Sequence, residues 1–202
     1  LFIDHEHVQM TFGIARVFHE PKKHPKPVML PEKPWEDCQV RIERQPLWDA
    51  ERGVWCMWYA GGRTLLPLCA ESNDGLHWER PALGRVTWQG SQENNIVNER
   101  TAKSQEDAAP IPHSLMIHDN RETDVSRQFK GCAWFREKGV GSYLKPFVSR
   151  NGFDWTLIAK GDRVPSEDTK RLMLDTLKHR YVLTVKGLNG CGVTKYGAAE
   201  LG

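Results

Sequence analysis

Apolar and polar positions along the chain alternate in short runs, and one arrangement of these runs occurs twice. Residues 55–78 and 131–155 each contain an aromatic-rich apolar run, a Gly-containing turn, a second apolar run and a polar turn that ends on Trp. Short apolar runs of this kind, bounded by turn residues, predict strands joined as hairpins. We therefore predict an all-β chain in which one sheet unit is repeated.

The polar turn that ends each copy has the same layout, SNDGLHW at 72–78 and SRNGFDW at 149–155. In both, Ser stands six residues before Trp and Gly stands three residues before it. Gly adopts the positive φ that a tight turn needs, and Asp74 or Asn151 can bond to nearby backbone. The Trp then offers a large flat surface for packing. We expect the two turns to have one conformation.

Another hairpin turn recurs three times, beginning at Asp49, Asp119 and Asp175 after an apolar strand. The predicted strands are 40–48, 54–60 and 65–72 in the first unit, 114–118, 129–136 and 143–149 in the second, and 171–174 and 180–186 in a third. Repeated sheet units of this size are typical of a β-propeller, whose blades bury their faces against one another.

The spacing of the units limits how much of a propeller the chain can hold. They recur about every 55 to 80 residues, so 202 residues hold about two and a half to three blades, whereas a closed ring needs at least about four. We expect a fragment of a longer propeller, or a ring that is completed by self-association. The expected plan is a single partial propeller domain over 1–202, with an extended entry segment at 1–36, the first blade and its loop at 37–109, the second blade at 110–165 and the start of a third at 166–202.

Composition excludes some classes of protein. The chain has no run of 18 or more apolar residues, so we expect no membrane-spanning helix. A net charge of +2 gives no indication of nucleic acid as a partner. The chain begins with Leu and shows no cleavable leader, so we expect a secreted or periplasmic location if a leader was removed and a cytoplasmic one otherwise.

The cysteines and histidines give no indication of a metal or a cofactor, and we expect neither. Cys56, Cys69 and Cys132 lie inside predicted strands, where a free thiol behaves as a small buried apolar group. The pair His5 and His7 falls on one face of an extended segment, but a zinc site needs at least a third ligand. Solvated or hydrogen-bonded histidines are the favoured interpretation.

Several longer motifs resemble those of a known group of proteins. The motifs are PWE at 34–36, LWDAERGVWCMWYAG at 47–61, SNDGLHWERPALG at 72–84 and NNIV at 94–97, followed by VSRNGFDW at 148–155 and MLDTLKHRYVLTVKG at 173–187. They resemble uncharacterised bacterial proteins related to glycoside hydrolase families 32 and 43, the invertase, levanase and arabinanase group. The resemblance covers about residues 1–187.

This resemblance implies a five-bladed propeller with a sugar-binding pocket at its axis. It also implies three carboxylates on the innermost strands: a base or nucleophile from the first blade, an orienting Asp from the second and a general acid Glu from the third. The chain departs from the invertase-type members, because it has no W-[ML]-N-D-P-[NA]-G segment, no Arg-Asp-Pro and no Glu-Cys.

The recurrent turn aspartates are not our catalytic candidates. An Asp at a turn is explained by bonds from its side chain to local backbone, and these turns lie at the far end of each inner strand from its axial start. The candidates are instead the polar residues at those starts. We predict Asp4, Glu43 and Asp168 as the catalytic carboxylates.

Three further residues complete the predicted site. Arg41 and His113 are expected to bind sugar hydroxyls, and Trp35 is expected to contact the substrate. Two alternatives remain open: a non-catalytic propeller that binds a glycan or a protein, and a sialidase-like propeller. The sialidase-type turn, S-x-D-x-G-x-x-W, is one residue longer than the turns here, and no Arg triad is visible.

Overall fold

The described residues are all-β, as the sequence predicts. The computed structural model describes residues 10, 12–15, 17–42, 44–98, 115–158, 163–166, 170–178, 180–186 and 193–195. In these ranges twelve strands form three antiparallel sheets, and the helical segments are two single 3-10 turns. No helix within these ranges has the length and apolar character needed to cross a membrane.

The first sheet contains a strand that is split in two. Its strands are β1 (Val40–Arg41), β2 (Leu47–Asp49), β3 (Val54–Gly61) and β4 (Leu66–Ser72). Both β1 and β2 pair with β3 on the edge opposite β4, so together they make the first strand of the sheet. Isolated bridges from Glu79 and Ile96 add to the outer edge of β4.

The second sheet repeats this plan, and the third repeats its first part. The remaining strands are β5 (Met116–His118), β6 (Phe129–Glu137), β7 (Gly141–Ser149), β8 (Trp155–Leu157), β9 (Val164–Pro165), β10 (Lys170–Asp175), β11 (Arg180–Lys186) and β12 (Val193–Lys195). In the second sheet β5, β6 and β7 pair in order, and β8 and β9 share the outer edge of β7. In the third sheet β10, β11 and β12 pair in order.

The sheets correspond residue by residue at their hairpin turns. The residue before each turn Asp pairs across the hairpin in the same way: Trp48 with Trp55, His118 with Phe129, and Leu174 with Tyr181. The repeat seen in the sequence is therefore a repeat of strand register.

The two closing turns have the same hydrogen bonds, which confirms the prediction made from their sequence. Ser72 Oγ accepts from Gly75 N at 2.8 Å, and Ser149 Oγ accepts from Gly152 N at 3.0 Å. Both Trp side chains that end the turns donate their indole N–H to the carbonyl of the turn glycine, at 3.1 and 3.0 Å. Both glycines have φ of 75°, a value that L side chains rarely adopt.

The faces of neighbouring sheets form the core. Cys56 and Trp58 on β3 pack with Phe129 and Phe153 of the second sheet. The opposite face of β3 is covered by side chains from the segments before and after the first sheet, including Met29 and Ile96. A separate cluster joins the second sheet to the third through Leu115, Cys132, Leu144 and Val185.

One aromatic position shows how each sheet contacts its predecessor. Phe129, the first residue of β6, lies edge-on to Trp58 of the first sheet with ring centroids 6.0 Å apart. Tyr181, which has the corresponding pairing position in β11, donates its hydroxyl to Asp119 of the second sheet at 2.7 Å. Trp55, their counterpart in β3, is 37% exposed and lies edge-on to Trp48 of its own sheet.

The equivalent turn glycines provide a test of the contact between the first two sheets. A Cβ at residue 152 would lie 2.8 Å from Trp58 Cζ2, whereas a Cβ at residue 75 would meet nothing within 4 Å. Both substitutions to Ala incur the cost of positive φ, about 1–2 kcal/mol. In Gly152→Ala the new methyl group also crowds Trp58, which should cost about 1–3 kcal/mol more in free energy of unfolding. In urea denaturation we expect Gly152→Ala to be the less stable variant, and equal losses would show that this sheet contact contributes little.

Candidate functional site

The structure describes two of the six predicted site residues, Arg41 and Trp35. Asp4, Glu43, Asp168 and His113 lie outside the described residues, so their roles stay predictions. Arg41 is exposed at the end of β1, on the edge strand of the first sheet.

Trp35, the remaining predicted residue, lies in the 3-10 turn Pro34–Glu36 and is half-buried. Its indole N–H donates to Asn95 Oδ1 at 2.7 Å, and its ring meets Trp88 edge-on at 6.5 Å. Trp35 packs on the face of the first sheet that points away from the second. These contacts fix its ring in place, and its predicted contact with substrate is untested.

The recurrent turn aspartates bond to local backbone, as predicted. Asp49 Oδ1 accepts from the backbone N–H groups of Glu51 and Arg52, both at 3.1 Å. Asp175 Oδ1 accepts from the two corresponding groups at 3.2 and 3.1 Å. Asp119 Oδ1 accepts from Arg121 N at 3.1 Å. The pKa of each carboxyl is lowered, because these bonds and nearby Arg side chains outweigh its partial burial.

Asp119 has a second function that its turn position did not reveal. It is 6% exposed, and its Oδ2 accepts the hydroxyl of Tyr181 from the third sheet. Lys130, 2% exposed, lies over the Tyr181 ring at 5.3 Å and donates to Glu122 Oε2 at 2.8 Å. This polar group joins the second and third sheets.

A buried ion pair next to the first sheet was also not foreseen. Glu36 is fully buried, and its Oε1 accepts from Arg80 Nε at 2.7 Å and from the Tyr59 hydroxyl at 2.5 Å. Its Oε2 accepts from the backbone N–H groups of Glu32 and Lys33 at 2.7 and 3.0 Å. The four acceptor positions of this carboxylate are therefore occupied.

The partners of Glu36 are themselves satisfied, which assigns this network to structure and not to catalysis. Arg80 Nη1 donates to Glu32 Oε2 and Arg80 Nη2 to the Leu30 carbonyl. Asn95 Nδ2 donates to the Tyr59 hydroxyl and to the Cys69 carbonyl, both at 2.7 Å. Burial by itself would raise the pKa of Glu36, but the hydrogen bonds from Arg80, the backbone and Tyr59 lower it.

A bulge in the first strand of the first sheet differs from the Glu36 network, because it contains polar groups without hydrogen-bond partners. Arg41 pairs with Ala60 and Leu47 with Cys56, so the first strand has five residues between these pairs and β3 has three, which makes two extra residues in the first strand. The guanidinium of Arg44 lies over the Trp58 ring, 5.7 Å from its centroid. Arg44 Nη1 and Trp58 Nε1 are both buried donors, and neither has an acceptor among the residues that the structure describes. Two side chains that pack on each other and that each carry an unsatisfied donor distinguish this bulge as the candidate binding site.

Arg44 is also without a counter-charge among the described residues. Burial is the cause of its lowered pKa, about 10, and no neighbouring charge contributes. At this pKa the guanidinium stays charged at neutral pH. It can therefore bind an anion but cannot act as a general acid or base near neutrality. A residue pattern of alternating strand positions gives no signal for this bulge.

The cysteines that the structure describes are free thiols. Cys56, Cys69 and Cys132 are buried free thiols, as predicted, and burial raises the pKa of Cys56 to about 11. Within the described ranges no group of three or more His, Cys, Asp and Glu side chains could hold a metal ion. No protein-family model and no curated protein matches this chain.

Substitutions in the Glu36 network test its structural role. Glu36→Gln removes the buried counter-charge of Arg80 and leaves only the exposed carboxylate of Glu32, and the expected loss in free energy of unfolding is about 3–5 kcal/mol. Tyr59→Phe leaves one Asn95 donor unpaired, with an expected loss of about 1–3 kcal/mol. Asp37→Asn, which breaks the exposed pair with Arg63, is the control and should lose least. Equal losses in all three variants would contradict this assignment.

The same carboxylate should affect stability at acid pH. The pKa of Glu36 is lowered from 4.5 in the folded chain. Its contribution is therefore present above the ordinary pKa and is lost as the pH falls through the lowered one. Below pH 4.5 the free energy of unfolding of Glu36→Gln should depend less on pH than that of the wild type. Parallel pH profiles would exclude Glu36 as a source of acid sensitivity.

Proposed function

We propose that this protein is a β-propeller glycoside hydrolase that cleaves an oligo- or polysaccharide by carboxylate chemistry at the starts of its inner strands. The three sheets are then successive blades of a five-bladed ring. Repeated register supports this reading, as does the packing of Phe129 and Tyr181 on the preceding sheet. The exposed Trp55 is then the position at which a further blade contacts the first.

The observation that carries the proposal is the separation of two kinds of carboxylate. Asp49 and Asp175 lie at the turn ends of their first strands and bond to local backbone. The candidates Glu43 and Asp168 precede these strands in sequence, Glu43 before β2 and Asp168 before β10. The first strands β5 and β10 lie next to each other, which supports convergence of the strand starts.

Glycosidic cleavage needs two carboxyl groups in different protonation states. One protonates the leaving oxygen, and the other attacks the anomeric carbon or activates water there. In our proposal Asp4, Glu43 and Asp168 supply these groups. Arg41 and His113 bind sugar hydroxyls, and Trp35 contacts the sugar.

A glycan-binding propeller without catalysis is the second candidate. The observation that favours it is the character of the bulge, where Arg44 and Trp58 supply hydrogen-bond donors and no acid–base group. Such a site can hold a ligand without cleaving it.

Hydrolysis measurements on conservative variants test the enzyme proposal. Asp4→Asn, Glu43→Gln and Asp168→Asn should each lower kcat/KM on the best substrate of an oligosaccharide panel by about 10²- to 10⁴-fold, because each removes a carboxylate that takes part in proton transfer or attack. Reducing-sugar release is the readout. Asp175→Asn is the matched control, since Asn retains an oxygen for the turn, and it should keep activity.

Two results would separate the candidates. Full activity in all three variants would remove the carboxylate assignment. Glycan binding by the wild-type chain without release of reducing sugar would favour the non-catalytic propeller.

A further inference from the structure

The bulge beside β3 belongs to the first sheet alone among the equivalent strands described. In the third sheet β10 pairs with β11 without interruption, and Arg171 stands opposite Thr184, the counterpart of Trp58. In the second sheet Cys132 occupies this position, and its N–H donates to the Leu115 carbonyl at 2.8 Å. The bulge is therefore an addition to the repeat and not a requirement of the fold, and bulges of this kind often re-aim a side chain at a site.

The unsatisfied donors of the bulge have a free-energy cost. A buried donor without an acceptor loses its bonds to water, and the cost is larger for a charged group. Trp58 cannot turn away easily, because Phe129 and Phe153 hold its ring, and a Cβ at Gly152 would already clash with it. Arg44 makes one longer bond, from Nε to the Gln45 carbonyl at 3.3 Å.

The chemistry of the missing partner follows from the donors. Both groups donate and neither accepts, so the partner must present oxygen acceptors. The positive charge of Arg44 favours an anion, and the planar fork of a guanidinium fits a carboxylate in two parallel bonds. Arg44 as a whole is only partly buried, although its Nη1 atom is covered, so part of this side chain faces solvent.

We infer that Arg44 and Trp58 bind the carboxylate of an acidic sugar, so that the ligand of this protein is a glycan containing uronic acid. This inference rests on the proposed function, because it names the chemical class of the glycan that is proposed there as the substrate. Arg41 lies on the same first strand, three residues before Arg44. A sugar held at the start of this strand can therefore extend its carboxylate toward the bulge.

Calorimetric titration of the full 202-residue chain tests the inference. The probes are oligogalacturonate and oligoglucuronate, with neutral oligosaccharides of the same length for comparison. We expect at least one acidic probe to bind about tenfold or more tightly than its neutral counterpart. Equal affinity for acidic and neutral probes, or no binding of either acidic probe, would overturn the inference.

Three substitutions locate the binding. Arg44→Met should abolish the preference for the acidic sugar, and Arg44→Lys should weaken it, since Lys lacks the planar fork. Trp58→Phe removes the N–H and keeps most of the ring contact, and it should weaken binding of the acidic probe. An unchanged preference in Arg44→Met would overturn the assignment to this bulge.

Matched controls separate this effect from charge and folding. Arg63→Met removes an exposed Arg, and Trp88→Phe removes another buried indole N–H without an acceptor; both should keep the acidic preference. Arg44→Met should unfold at the same or higher urea concentration than the wild type, because an unpaired buried charge is removed. A destabilised Arg44→Met would show that the guanidinium stabilises the sheet contact, which contradicts the cost argued above.

The result of the uronate-binding test does not depend on whether the protein cleaves glycans. Uronate binding without cleavage would support the inference while the hydrolase proposal fails. Cleavage of neutral glycans alone would overturn the inference while the hydrolase proposal stands.

Discussion

The contact between Trp58 and the second sheet fixes the relation between the first two repeats. Its ring meets two Phe side chains, and the closing turn of the second sheet lies so close that Gly is required at position 152. Because the indole is held on this side, the side chain that covers its face must come from the first strand. Arg44 does so from a bulge. The position of the guanidinium thus follows from the packing of two sheets, and the donors left unpaired there are a consequence of that packing.

The fold pairs its other deeply buried ionic groups within the described residues. Glu36 has four donors around its carboxylate, and Lys130 has both a carboxylate and a carbonyl acceptor. These pairs connect segments that are distant in sequence, and removing one partner would leave a costly charge. Against this background Arg44 is an exception. Within the described residues the structural charges are paired, whereas Arg44 Nη1 has no acceptor; in our proposal the binding of an anion explains this difference.

Local features could be predicted from the sequence, whereas distant partners could not. The closing turns and strands β3, β4, β6 and β7 follow from short patterns of Gly, Ser and apolar residues, and they lie within about two residues of their predicted bounds. The sequence predicts one continuous strand over 40–48, but the structure divides it at the bulge, because alternation does not reveal two extra residues. Glu36 meets Arg80, 44 residues away, so no local pattern could identify the pair.

The bulge also explains how binding and stability can oppose each other in this protein. Packing of the sheets favours an apolar side chain over the Trp58 ring, since such a residue would remove the unpaired donor of Arg44. A guanidinium at that position weakens the unliganded contact and is compensated only when an anion binds. Ligand binding should therefore tighten the contact between the first two sheets. Burial of the unpaired guanidinium costs free energy in the unliganded protein. An acidic ligand that pairs with Arg44 removes this cost, and the gain adds to its affinity. A neutral ligand lacks the charge and gains less.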